Sequence, residues 1–218
     1  MYQNKRWALA TAAAASACVL LMLPLWGFLF PAGQNPSTAA SLVHGASLAW
    51  MQFLALLVII GMLGLSPECG MRRPKLADGT WALSVFGLFL ASGLLASLGS
   101  SLTGGSSGRA ALALSVRTEP RLWPVALLFS IGVAYREEFL YRACLTAIAR
   151  RLHAPAWMSI AAPAALFAIG HLWQGPWAVA QAALAGLGAG ILYNRGFASV
   201  HALAWGHAAY NLVVLLRS

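Results

Sequence analysis

The sequence predicts an all-α fold, a polytopic membrane helical bundle of about seven transmembrane helices. Three observations carry this. Of 218 residues, 60% are hydrophobic and only 9% are charged, against about 25% charged in soluble domains. Mean hydropathy is +0.73. The apolar residues also gather into runs of about 20, the length a helix needs to cross a bilayer core. A formal charge of +9 does not make this a nucleic-acid binder. The basic residues lie scattered between apolar runs, as in loops flanking membrane helices, with no dense basic stripe interleaved with aromatics. Membrane lipids, not nucleic acid, are the expected surroundings.

The first run, residues 7–30, follows Lys5 and Arg6 as in a signal peptide, and Ala15-Ser16-Ala17-Cys18 resembles a lipoprotein site. It continues to Phe30, too long for a signal-peptide core, so an uncleaved first helix is expected. Residues 41–65 and 81–98 supply the second and third helices. A Ser/Gly-rich stretch, 100–108, reads as flexible, and the short run 110–116 as an interfacial helix or loop. Residues 122–149, 155–173, 177–193 and 198–216 supply the last four helices. Pro24 and Pro163 sit where proline kinks a helix, and Gly186, Gly188 and Gly190 point to close packing of the sixth helix. The chain thus divides into a three-helix section (1–100), a Gly/Ser-containing loop (101–121) and a four-helix core (122–218).

Seven spans place Lys5, Arg6, Arg72, Arg73, Lys75, Arg150, Arg151 and Arg195 on one side and Arg109, Arg117, Arg121 and Arg217 on the other. Eight against four favours a cytoplasmic N-terminus, in what is read as a bacterial inner-membrane protein. Cys18, Cys69 and Cys144 are odd in number and share no metal-ligand spacing; Cys18 and Cys144 lie in apolar runs and read as packing residues.

Three pairs of residues one helical turn apart stand inside the last four runs: Glu138 with Arg142, Phe167 with His171, and His207 with Asn211. Residues i and i+4 share a helix face. A charge at mid-membrane costs at least about 2.5–3.5 kcal/mol, so such residues are functional candidates. Glu138 precedes Arg142 in the favourable order for an ion pair. Glu137 has Tyr141 one turn on and points about 100° away from Glu138, which leaves it as the unpaired carboxylate. An unpaired, partly desolvated Glu has a raised pKa suited to general-base work. The competing reading joins Arg136, Glu137, Glu138 and Arg142 in one neutral packing network. A His such as His171 is either a hydrogen-bonded packing residue or, facing a Glu, the partner that polarises a water and shuttles a proton. His207 and Asn211 are matched donors, suited to a developing oxyanion or to ordinary interhelical hydrogen bonding. His44, His153 and His201 read as loop or interface residues, with His201 close enough to His207 to line the same cavity at another depth.

Glu137-Glu138-x-x-x-Arg142, Phe167-x-x-x-His171 and His207-x-x-x-Asn211, in this order on successive apolar segments, resemble the CAAX protease and bacteriocin-processing (CPBP) family of intramembrane proteases. The glycine-rich stretch 186–196 resembles it too, so the likeness covers roughly residues 122–216. The resemblance implies a glutamate-dependent endopeptidase acting on a membrane-associated peptide or protein. Glu137 and His171 would activate a water, His207 and Asn211 would form the oxyanion site, and Glu138 with Arg142 would hold the helix in shape. The family has also been described as metalloproteases. No His-Glu-x-x-His motif is present, so no cofactor is expected; a divalent metal such as zinc, if bound, would take Glu137, His171 and His207. On this topology His171 falls near the outer end of the fifth helix and Glu137 near mid-membrane, so a shared water requires that helix to be shifted or differently bounded. A non-catalytic scaffold or immunity-type protein using the same polar core as a binding pocket is the alternative. A Glu/His proton-relay transporter is a third reading, without the internal repeat that would support it.

Overall fold

The computed structural model describes residues 38–65, 67–70, 72–103, 116 and 119–217. The expected first helix, with Cys18 and Pro24, and most of the 101–121 loop lie outside these. Helices α1 (Thr38–Met62) and α2 (Ala77–Thr103) come first. A short 3-10 turn, Pro120–Leu122, leads into α3 (Trp123–Glu138), which runs through a π-helical turn, Phe139–Cys144, into α4 (Leu145–Arg151). Then follow α5 (Met158–Ile169), a 3-10 turn at Leu172–Gln174, α6 (Pro176–Asn194) and α7 (Val200–Arg217). The described residues contain no strand.

Local chemistry sets the helix ends. At the end of α1 the Leu65 N–H bonds the Ile60 carbonyl and the Gly64 N–H that of Gly61. Gly64 has φ 60, the left-handed residue this paired-bond stop requires. The same pattern ends α6, with Phe197 to Leu192 and Gly196 to Tyr193. It also ends α4, where His153, at φ 54, takes the position usually given to glycine. Pro176 opens α6, where its missing N–H costs nothing. Ser199 caps α7, accepting the Ala202 N–H at 3.1 Å, and donates its hydroxyl to Asp78 at 2.7 Å. Asp78 also holds Arg72 with both carboxylate oxygens, tying the α1–α2 loop to the start of α7.

Helix α1 packs on α3, α3 on α7, α7 on α2, α2 on α6, and α6 on α5. Small residues make the close approaches. A Cβ on Gly186 would lie 3.3 Å from Ala164 and Phe167, and one on Gly190 3.1 Å from Ile160, so the glycine face expected in the sixth run is the seam with α5. Gly206 brings α7 against the α2 backbone, 2.5 Å from the Ala82 carbonyl by the same measure.

Large apolar side chains such as Leu54, Val58, Leu94, Leu98, Leu184 and Ile191 point outward. Three helices, Ala40–Met62, Ala77–Thr103 and Pro176–Asn194, are long and apolar enough to cross a membrane. This is an integral membrane protein. Exposed tryptophans stand near helix starts, Trp81 near the start of α2, Trp157 just before α5 and Trp123 at the start of α3, as at bilayer interfaces.

The fifth run corrects the expectation drawn from the sequence. A full span over 155–173 was expected, but α5 has only 12 residues, about 18 Å of helix against a hydrocarbon core of about 30 Å. Its end is set by Gly170 and by the break at Gly175, φ 95. A half-length helix ends at half depth. This brings His171 to the level of Glu137, which lies midway along the continuous helix from Trp123 to Arg151.

Candidate active site

Glu137 and Glu138 are the last two residues of α3, and the π turn begins at Phe139. A π turn inside a helix often marks a functional site. Here it holds Arg142, whose side chain is 2% exposed and whose Nε lies 3.2 Å from Glu138 Oε2. That is an ion-pair distance without hydrogen-bond alignment: Glu138 Oε2 and Arg142 Nη1 and Nη2 have no hydrogen-bond partner among the described residues. The guanidinium instead lies over the Phe167 ring, 4.6 Å from its centroid, a desolvated cation–π contact worth about 2 kcal/mol. The Glu138–Arg142 ion pair expected from spacing is therefore present, with Phe167 of α5 against the guanidinium.

Glu138 has a second partner. The His207 Nδ1 lies 2.8 Å from Glu138 Oε1, and Nε2 of the same ring lies 3.8 Å from Glu137 Oε2. One imidazole thus spans both carboxylates. Its position is held from two further sides, by Phe89 stacked at 4.3 Å and 24° and by Phe167 edge-on at 6.1 Å. His207 itself is 4% exposed.

Glu137 corrects a second expectation. It is not unpaired: Arg136 Nη2 lies 2.5 Å from Glu137 Oε1, while Arg136 Nη1 donates to Gln52 Oε1 of α1 at 2.8 Å. Adjacent helix positions do not face each other, so spacing argued against this pair, but the long Arg side chain turns back along the helix. The premise of an unpartnered carboxylate falls with it.

His171 donates Nδ1–H to the Phe167 carbonyl at 2.8 Å. A carbonyl only accepts, so in the neutral ring Nε2 is the acceptor nitrogen. The ring packs on Phe167 at 4.7 Å and lies within electrostatic reach of the Glu137 carboxylate, as His207 does. Asn211 stands one turn beyond His207 on α7, partly exposed. Glu137, Glu138, Arg142, Phe167, His171 and His207 therefore converge where α3, the π turn, α5 and α7 meet.

His201 is not a loop residue. It is buried and donates from Nε2 to the Arg72 carbonyl at 2.6 Å. Its Nδ1 then accepts from Tyr135 at 3.3 Å, and the Tyr135 oxygen accepts from Trp205 at 2.9 Å. This is a satisfied network joining the α1–α2 loop to α3 and α7. Sequence reasoning also missed Gln52 and Phe89. Gln52 carried the usable signal of a polar residue inside an apolar helix, whereas nothing separates Phe89 from any other core aromatic.

Among the described residues no group of three or more His, Cys, Asp or Glu is close enough to hold an ion. Of the three residues that would take a metal, His207 turns both ring nitrogens to carboxylates, and His171 gives Nδ1 to the backbone and keeps Nε2 as its acceptor nitrogen.

Residues 119–213 match the family model described as type II CAAX prenyl endopeptidase Rce1-like. No curated protein matches the chain, and no solved structure does.

Proposed function

Residues 119–213 are a domain of the CPBP family, and from this and the site geometry we propose that the protein is an intramembrane endopeptidase hydrolysing a peptide bond of a membrane-associated protein or peptide. A single observation carries the reading. The Glu137 carboxylate and the His207 Nε2 face each other across 3.8 Å, at half the depth of a membrane protein, with His171 in electrostatic reach. A water held by Glu137 and by the acceptor Nε2 of His171 gives up its proton to the Glu137 carboxylate as its oxygen attacks the carbonyl carbon. The tetrahedral oxyanion is met by His207 and the Asn211 amide. Nδ1–H of His207 is given to Glu138, so donation from Nε2 requires the doubly protonated ring. Collapse of the intermediate breaks the C–N bond, and the proton taken from water passes to the leaving amine. No step uses a metal.

The family description points to prenylated substrates. The first assay therefore offers the purified protein, reconstituted in vesicles, a prenylated peptide ending in C-a-a-X beside unprenylated apolar peptides. The wild type is expected to cleave one of these, and Glu137→Ala and His171→Ala to cleave none. Full activity in Glu137→Ala sinks the assignment. Mass spectrometry of peptides accumulating in a Glu137→Ala strain identifies the natural substrate. The excess of basic residues at the end where α6 finishes and α7 begins supports a cytoplasmic position for that end.

A further inference from the structure

The mechanism uses His207 but leaves Glu138 as a brace for Arg142, the role that sequence spacing gives it. The contacts assign it more. Glu138 is fully buried, and its two oxygens are divided, Oε2 toward Arg142 Nε and Oε1 toward His207 Nδ1. We propose that Glu138 is a positioning residue for His207: its carboxylate fixes the proton on Nδ1 and thereby aims Nε2 at the reacting centre beside Glu137. This deepens the peptidase reading and rests on it for the role of His207.

The argument is one of acceptors and shape. An ionised carboxylate only accepts hydrogen bonds, so a ring nitrogen 2.8 Å from it must carry a proton. Nδ1 therefore carries a proton both in the neutral ring and in the doubly protonated ring that donation from Nε2 requires, and second-sphere partners commonly fix a ring in this way. Phe89 covers one face of the ring and Phe167 meets it edge-on, so the ring cannot turn away without unpacking both. Arg142 places its guanidinium beside Glu138, with Nε 3.2 Å from Oε2. Its Nη1 and Nη2 have no other hydrogen-bond partner among the described residues, so its charge is answered by Glu138 and by the Phe167 ring. The π turn, the carboxylate and α7 form one relay ending at Nε2.

Two measurements test this. The first is nitrogen-15 NMR of the histidine side chains in the detergent-solubilised full chain, with His207 assigned by comparison with His207→Gln. The wild type is expected to show a protonated Nδ1, and Glu138→Gln to show a mixture of protonation forms. A His207 with a bare Nδ1 in the wild type overturns the proposal whether or not the variant folds. The second is a double-mutant cycle in the cleavage assay. Glu138→Gln is expected to lower kcat about 10- to 100-fold, as loss of an outer-sphere partner does, with KM unchanged. In a His207→Ala background the same substitution should cost less than about 2-fold, since residues acting as a unit are not additive. A wild-type kcat in Glu138→Gln, or a full further loss on top of His207→Ala, overturns it. If the wild type cleaves nothing, the peptidase reading fails and the tautomer measurement still decides the role of Glu138.

Discussion

Gly206→Ala adds one methyl group at the point where α7 rests on α2, one residue before His207. The new Cβ would sit 2.5 Å from the Ala82 carbonyl oxygen, 2.7 Å from Val85 Cβ and 2.8 Å from the Phe86 nitrogen. These are atoms of the α2 backbone or fixed to it, so no side-chain rotation makes room. The first contact falls about 0.9 Å inside the 3.4 Å where ordinary contact begins, and α7 must retreat by roughly that distance. Overpacking of this kind costs about 1–3 kcal/mol. In a chain of this size that lowers Tm by about 2–12 °C. The same retreat draws His207 from Glu138, now 2.8 Å away, and a misplacement of about 1 Å at a site costs on the order of 100-fold in rate. The assay is a thermal melt in detergent together with the cleavage rate, with two alanine controls. At Gly188 the added Cβ meets only the Leu88 side chain, at 2.7 Å, and at Gly61 it meets nothing within 4 Å. Gly188→Ala should be mild and Gly61→Ala neutral. A Gly206→Ala protein with the Tm and rate of Gly61→Ala would refute the argument that this crossing sets the site.

Cys69 is fully buried, and burial pushes its thiol from 9.0 up to about 12. Maleimide at pH 8 should label it only after denaturation, and labelling of the native protein would contradict its placement. Because its folded pKa is raised, its contribution to stability is present below pH 9 and lost as pH climbs toward about 12, which a series of alkaline melts would detect. Arg151 binds Glu68 at 2.7 Å, and through this hydrogen bond it holds the Glu68 carboxyl below the usual range. That contribution is present above the ordinary carboxylate pKa and lost as pH falls through the lowered one. The two side chains are 34% and 37% exposed, enough for solvent to screen the pair, so Glu68→Gln should cost at most about 1 kcal/mol. Arg151→Ala should lower Tm further, because Arg151 also donates to the carbonyls of Leu63 and Gly64 at the end of α1. Dialysis against a chelator should leave cleavage unchanged, and activity lost this way but restored by zinc would contradict the metal-free mechanism.

What could be read in advance followed from cost. A Glu, Arg or His inside an apolar run is expensive, so the residues that meet in the site announced themselves, and the one-turn spacing correctly paired Glu138 with Arg142. The Glu138–His207 contact was not readable. It joins residues 69 apart and depends on how α3 and α7 cross and on a π turn with no compositional signature. The Arg136–Glu137 pair belonged to the competing network reading; the leading one sought a partner for Glu137 only one turn on, a limit that a long Arg side chain does not obey. The depth of His171 was legible in part: Gly170 stood in the sequence just before it, yet the apolar run was carried through Gly170 to residue 173. The same polarity explains why the fold is harder to read by hydropathy. The helices long and apolar enough to cross a membrane are α1, α2 and α6, none of which carries one of the three polar pairs, while α3 is cut to 16 residues by the π turn and α7 carries His201, His207 and Asn211.

The most direct test of a water-activating Glu137 is the cleavage rate of Glu137→Gln in reconstituted vesicles. Gln keeps the shape and an acceptor for Arg136 but cannot take a proton. The variant's kcat is expected to fall by about 10²- to 10⁴-fold, the usual worth of general-base catalysis, with Tm and KM unchanged. A Glu137→Gln protein that cleaves at the wild-type rate would contradict it.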